Sequence, residues 1–554
     1  NGSDTSEIWV GNLDTPVTAN RKITNDEFMD SFPNYAADGT IVWMTNRGGS
    51  PNLWRMNADG KGMKPLTKHK GGTLRWPTLA KDSIVYEYDS ELWHYDVKTG
   101  ASKPLEIEVP EDSVLNPLLD LTLSDGATDF VASPDGKRAV VGVRGDLFLM
   151  PERGGTTRKL ATSLALDISP EWIDNKTVLF VSGRSGQRQL MTVDLNGNEK
   201  VFRAEGGDLT NPSLSPDGKW IAYHFNDREI RVISTTGGAP TTVAKGGFPD
   251  AYKNVSAFSW SPDSKWITFI DETERAASIS AVEIATKKTV LISRAARGAD
   301  LPRFLPNGRS IYYTTSEFED AEIMVVDLVP ADVTFTEDDL DAIDAAKPTT
   351  APIEVKIVEA GLASRVRRLT NGGGAAYGAT PDSRFILGSS AGVFSLIPLD
   401  GRGGGPVAGV TGGISEVQVA NGKAYFTAGG RPMILSLGNN SVSPAPFSAQ
   451  IRVDRKKEDL ALFEEMWWAI DRIYYDAKHH GKDWNAIKAE YKALVPYAFD
   501  RQDYYALMYE MIEELDSSHV FTGAPPGAPA QASEPTGFLG VNWNWTELAS
   551  GRYI

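Results

Sequence analysis

Short runs of alternating apolar and polar residues, each opened by the same kind of turn, recur over the first four-fifths of the chain. The turn is of the Ser-Pro-Asp-Gly-Lys type, as in Ser133-Pro-Asp-Gly-Lys137, Ser215-Pro-Asp-Gly-Lys219, Ser261-Pro-Asp-Ser-Lys265, Leu305-Pro-Asn-Gly308 and Thr380-Pro-Asp-Ser383. Ala37-Asp-Gly39 is a further copy, and Lys81-Asp82, Asp174-Asn-Lys176 and Asn421-Gly-Lys423 are degenerate ones. Proline presets φ at the first turn position, and Asp-Gly closes the hairpin with local hydrogen bonds and a permissive φ. An apolar strand comes next, such as Trp220–His224 or Ile311–Thr314, and then a second one ending in another turn, such as Leu92–Asp96. Both read as β-strands.

Asp135, Asp174, Asp217, Asp263 and Asn307 are spaced by 39, 43, 46 and 44 residues. That period, with about four strands per unit, predicts β-propeller blades. Nine units are predicted, at 33–60, 75–100, 127–155, 168–198, 211–239, 257–290, 302–329, 376–401 and 414–440. A propeller ordinarily has four to eight blades. The irregular stretch Glu106–Asp120 interrupts the period, so residues 1–112 read as the last blades of one propeller and 113–448 as a seven-bladed second. One nine-bladed ring over 1–448 is the alternative. From Leu462 to Leu515 the pattern is helical, with Trp467, Trp468, Tyr474, Tyr475, Trp484, Tyr491, Tyr504, Tyr505 and Tyr509 supplying aromatic faces. A helical subdomain is expected over 449–530, its end marked by the Pro/Ala/Gly run 523–530.

Composition removes several function classes. The formal net charge of -17 argues against nucleic acid or an anionic membrane as partner, since both want a basic face. No apolar run reaches the length of a membrane span. Without cysteine there are no disulfides, thiolate metal sites or cysteine catalysis. The polar start Asn1-Gly-Ser-Asp, with no initiator methionine, shows no signal peptide and is read as lying inside a longer protein. The expected compartment is the cytoplasm, or the periplasm or exterior if a signal precedes residue 1.

Most candidate chemistry dissolves on inspection. Gly388-Ser-Ser-Ala-Gly392 matches the nucleophile-elbow pattern, which needs a strand-to-helix turn, whereas here it separates two strands and reads as a hairpin. His479 and His480 are adjacent, point apart on a helix, and have no carboxylate to complete a metal triad. His69, His94 and His224 lie among propeller strands and loops, and alternating aromatics such as Trp220 and Tyr223 read as blade packing. The acidic insertion Thr336–Asp344 reads as a solvated loop or short helix. No cofactor or metal site is expected. There remains Ser517-Ser-His519 at the end of the helical run, where a histidine beside a helix terminus can serve as a base. The structural reading, a histidine interacting with the negative end of the helix, stands beside it.

The helical run resembles the core domain of tricorn-type serine peptidases, in the carboxyl-terminal processing peptidase superfamily. The resemblance rests on Leu462–Trp468, Tyr474-Tyr-Asp476, His480-Gly-Lys-Asp-Trp484, Tyr491, Leu494-Val-Pro496, Arg501-Gln-Asp503 and Glu513–His519. Thr536–Gly540 with Asn542-Trp543 resembles the entry to that family's PDZ domain, placing its start at 531–554. The resemblance implies that His519 is the catalytic base and Ser518 the polar residue beside it. It also implies that the nucleophilic serine and its glutamate partner lie beyond residue 554, so that residues 1–554 alone are inactive. Peptide substrates guided by the propellers and a ring-like homo-oligomer are implied too. A non-enzymatic peptide- or protein-binding propeller, similar to the periplasmic TolB type, is the competing function.

Overall fold

Nine four-stranded antiparallel sheets stand where the nine sequence units are read, in a computed structural model that describes residues 5–12, 20–89, 91–107, 118–161, 163–246, 258–271, 277–294, 299–316, 320–330, 353–415, 417–517 and 520. The protein is mainly β, with short helices confined chiefly to the region after residue 454. The acidic insertion at 336–344 and the PDZ-like stretch at 531–554 lie outside the described residues. Chain contacts divide the molecule into two compact units, residues 1–116 with 471–554, and residues 117–470.

In most sheets the second strand is the most buried. Ile41–Thr45, Ala139–Val143, Val178–Ser182 and Ser310–Thr315 are buried at each position, facing apolar clusters on both sides. A strand covered on both faces reads as a continuous apolar run, which is why these segments lose the polar alternation of one-sided strands.

Residues 117–470 hold seven of the sheets, at 127–159, 167–203, 209–245, 258–294, 299–368, 375–406 and 418–444. The last sheet meets the first. Ala127 N donates to Gly430 O at 2.8 Å, Ala132 N to Gln418 Oε1 at 2.7 Å, and Tyr425 OH to the buried Glu152 at 2.7 Å. A further sheet seals the join: Phe447–Asp454 pairs antiparallel with Leu118–Leu123 and parallel with Gly155–Thr156. Part of the irregular stretch is therefore a strand, and the last strand runs on to Asp454 before the first long helix begins.

The turns carry a second function. In Ser133–Lys137 the Asp135 carboxylate accepts from Ser133 Oγ at 2.7 Å and Lys137 N at 3.1 Å, and Asp217 and Asp382 repeat this geometry. The fourth turn position has φ near +60°, occupied by Gly136 and Gly218 but also by Ser264 and Ser383. Those serines reach the preceding sheet: Asp217 N donates to Ser264 Oγ at 3.1 Å, and Asn307 N to Ser383 Oγ at 2.9 Å. The degenerate turns also reach a neighbouring sheet, Asn175 to Asp135 N of the preceding one and Asn421, across the join, to Pro134 O of the first. Departures from the glycine rule thus stitch blade to blade.

A second repeated signal lies outside the turn pattern. The first strand of several sheets contains a bulge before a proline, at Phe32-Pro33, Trp76-Pro77, Ser169-Pro170 and Asn211-Pro212, with φ of 53°, 45°, 52° and 49° at the first residue. Proline is tolerated in a strand at such bulges, so Xaa-Pro at blade spacing marks the first strand of each of these units.

Residues 1–116 with 471–554 contain the other two sheets, at 30–65 and 74–104, and most of the helical segment. The first sheet is locked by a buried ion pair. Asp30, fully enclosed, accepts from Trp43 Nε1 at 2.7 Å and from Arg47 Nη2 at 2.8 Å.

Candidate active site

The helical run resolves into three helices: α1 (Arg455–Ile473), α2 (Trp484–Leu494) and α3 (Arg501–Glu513). Aspartates cap the last two. Asp483 accepts from Asn485 N and Ala486 N at 3.1 and 3.0 Å, and Asp500 from Gln502 N and Asp503 N at 2.7 and 3.0 Å. Such caps satisfy N–H groups that a helix start leaves open. Through Ile470, α1 belongs to the seven-sheet unit, where its Glu465 pairs with the buried Arg188 at 2.8 Å and Arg188 lies over the Trp468 ring at 4.7 Å.

After α3 the chain turns twice. Leu515 is fully buried and Asp516 has φ of 49°, the left-handed conformation that ends many helices. Ser517 is next. Ser518 and His519, the residues assigned to catalysis by resemblance, lie outside the described residues.

The segment between α1 and α2 closes over 515–517. His480 Nδ1 lies 3.0 Å from Leu515 O, Lys482 Nζ lies 3.1 Å from Asp516 Oδ2, and Tyr474 OH donates to Ser517 Oγ at 2.9 Å. A carbonyl can only accept, so His480 carries its proton on Nδ1, leaving Nε2 to accept from Tyr475 OH. The backbone here is strained: His479, His480 and Gly481 have φ of 48°, 54° and 79°. Left-handed residues other than glycine cost on the order of 1–3 kcal/mol each and persist only where the surroundings over-determine them. Two sets of contacts do so. The Asp476 carboxylate accepts from Lys478 N at 3.0 Å and His480 N at 2.9 Å, and these backbone bonds hold its pKa below the usual carboxylate value. The buried His479 ring stacks between Tyr474 and Trp484, at 5.6 and 5.4 Å with planes within 8°, its Nε2 3.5 Å from Asp471.

The expectation that His479 and His480 sit on a helix is corrected here, although their rings do point apart. They occupy a tight left-handed turn, one ring buried in a stack and the other exposed and bonded to a carbonyl 35 residues away. Sequence reasoning missed their role because no local pattern announces it.

Carboxylates also crowd α2 and α3. Arg75, on the second sheet, pairs with Glu513 at 2.7 Å. Burial raises Glu514, with Lys482 and a bond from Tyr491 OH opposing. Burial also raises Glu87 and Glu490, reinforced by Glu510 and Asp89 respectively.

The remaining candidates take structural places. Gly388–Gly392 spans the hairpin between strands Phe385–Ser390 and Val393–Pro398. His224 is wholly enclosed beside Phe258, His94 bonds Ser83, and His69 stacks on Tyr88 at 3.9 Å. Tyr223 packs in a core, its OH on Glu205 at 2.6 Å, whereas Trp220, first in its strand, is 42% exposed. Among the described residues no three His, Asp or Glu side chains are grouped to hold a metal, and no helix is long and apolar enough to cross a membrane.

Residues 455–513 match the model of the Tricorn protease C1 domain. A tricorn-like protease C-terminal subunit from Sulfurisphaera tokodaii is 21% identical over 578 residues, covering 96% of this chain and 64% of that protein. This chain is a tricorn-type protease homologue. The homologue's fold agrees with a crystal structure of the tricorn protease at a TM-score of 0.68, with 15% identity over 94% of this chain and 53% of that one. It thus spans under two thirds of the length of both. A Tol-Pal system protein TolB from Wolinella succinogenes is 26% identical over 160 residues, 27% of this chain and 34% of that protein.

Proposed function

We propose that the chain is part of a serine peptidase acting on peptides and oligopeptides, in which His519 is the general base and Ser518 helps to orient it. The observation that carries this reading is the C1-domain match at 455–513, which runs directly into Ser517-Ser-His519. A serine hydroxyl is a poor nucleophile at neutral pH and needs an imidazole within hydrogen-bond reach. The nucleophile and a glutamate partner are proposed to lie beyond residue 554. The proposed domains are two last blades of one propeller (1–112), a seven-bladed propeller (113–448), the helical core (449–530) and the start of a PDZ-like domain (531–554). The propellers guide peptides to the core, and the subunits assemble as a homo-oligomer in the cytoplasm, or outside it if a signal precedes residue 1.

The test is His519→Ala in the complete protein. Peptide hydrolysis is expected to fall about 10²–10⁴-fold, the usual contribution of a general base, with thermal stability unchanged. Retained hydrolysis would leave His519 as a helix-end residue and nothing more. Residues 1–554 alone should hydrolyse no fluorogenic peptide; turnover abolished by the same substitution would move the nucleophile into this part of the chain. The TolB-type binding function draws on a match to 27% of the chain, against 96% for the tricorn-like relative, and is the weaker reading.

A further inference from the structure

Resting on that peptidase reading, we propose that Tyr474 and His480 are positioning residues for the base, acting through the backbone of 515–517. Helix α3 ends at Glu513, and the left-handed Asp516 breaks the chain direction after it, so the helix does not aim the residues beyond. Direction is set instead by the side chains that grip 515–517. Each of the three residues is held by one side chain from the α1–α2 segment: Leu515 O by His480, the Asp516 carboxylate by Lys482, and Ser517 Oγ by Tyr474. Ser518 and His519 are covalently next, so the last of these anchors sits one residue before the proposed orienting serine and two before the base.

Core packing does not account for His480, although its ring meets Tyr474 and Tyr475 edge to face at 5.6 and 5.5 Å. Its ring is exposed, and its backbone is left-handed at φ 54°, a conformation that glycine or asparagine would adopt more easily. The histidine adds an N–H that reaches Leu515 O, in the tautomer that this carbonyl requires, with Tyr475 OH on the opposite nitrogen. The buried His479 stack and the Asp476 cap hold the turn that presents it. A strained turn whose exposed side chain, braced by Tyr475, reaches a distant backbone carbonyl is a device for placement. Misplacing a catalytic group by about 1 Å can cost on the order of 10²-fold in rate, so small slackening at 515–517 is felt at His519.

The experiment is steady-state peptide hydrolysis by the complete protein carrying Tyr474→Phe, His480→Ala or His480→Asn, with His519→Ala as reference. Tyr474→Phe keeps the ring and removes the hydroxyl; kcat should fall about 10-fold with KM within about twofold, the signature of a contact felt in the transition state. His480→Ala should lower kcat about 10–100-fold. His480→Asn retains an N–H donor and tolerates a left-handed backbone, and should restore kcat to within about threefold of the parent. If Tyr474→Phe and His480→Ala keep full kcat while His519→Ala is inactive, the positioning role is wrong and the peptidase reading stands. If His519→Ala is itself active, the peptidase reading falls first. Equal losses in the alanine and asparagine variants, with lowered melting temperature, would mark His480 as a folding residue and overturn the proposal.

Discussion

Left-handed residues occur in two regions of this protein to opposite ends. In the blade turns that carry Pro-Asp or Pro-Asn the φ near +60° position is glycine, or a serine whose hydroxyl bonds the neighbouring sheet, so any strain stays inside the scaffold and strengthens it. In the turn at 476–482 two histidines adopt the same conformation, and the exposed one reaches a carbonyl beyond the next two helices. The repeated region uses backbone geometry to close a ring. The unrepeated region uses it to place a single chain segment. Strain in a repeat is a packing matter, whereas strain that occurs once, with an exposed side chain, asks for a functional reason.

The contrast can be broken most severely at Asp30. Asp30→Ala strips Arg47 and Trp43 Nε1 of an enclosed partner and should cost about 3–5 kcal/mol, the usual penalty for breaking a buried ion pair. Denaturant titration followed by hydrogen exchange in residues 20–107 reads this, and a loss below about 1 kcal/mol would mean that the sheet does not depend on its pair.

A pH titration separates the two regions next. Burial pulls His224 down to about 3, so the folded seven-sheet unit excludes a proton that the unfolded chain takes up below about 6.5. Stability from this residue is complete above that value. It is lost as pH falls, by about 1.4 kcal/mol per pH unit between about 6.5 and 3. His224→Gln should flatten that slope. The sign reverses for Glu87, Glu490 and Glu514, which are raised in the fold. Their effect is greatest at low pH and fades as pH rises past the ordinary carboxylate range, so Glu514→Gln should stabilise the helical region at neutral pH.

A smaller effect sharpens the comparison. His480→Gly relieves a left-handed Cβ but gives up the bonds to Leu515 O and Tyr475 OH, so local stability should change by less than about 1 kcal/mol while kcat falls. Ser264→Gly relieves the same conformation but gives up the bond to Asp217 N, so its net change should stay within about 0.5 kcal/mol. Thermal melts of both variants check the pair; a loss of about 2 kcal/mol or more in His480→Gly would mean that relieved strain offsets none of the lost bonds.

The nine sheets are legible in the sequence because their information is local: proline and glycine set each turn, and an apolar run begins within a few residues. The seal between Leu118–Leu123 and Phe447–Asp454 is not, since its partners are separated by more than 300 residues and neither strand carries the repeated turn. Xaa-Pro bulges are legible in principle, at Trp76-Pro77 and its equivalents, once one asks where a strand tolerates proline. Around the candidate site, the helical run comes from pattern, whereas the caps Asp483 and Asp500 come from the structure. The grip of His480 and Tyr474 on 515–517 joins residues 35 and 43 positions apart and leaves no periodic trace. Ser518 and His519 are named through family resemblance alone.

The pairing of Leu118 with Asp454 has a topological consequence. Residues 118 to 454 leave and return at one point, about 5 Å apart across a strand pair, so the intervening chain is a loop in the cut-and-paste sense. Its ends can be joined by a short linker and new termini opened at an exposed blade turn such as Asp217-Gly218, giving a circular permutant of the seven-sheet unit. In that permutant the strand carrying Phe447–Asp454 becomes interior sequence. The order in which blades emerge during synthesis is then a free choice, separate from the architecture they form.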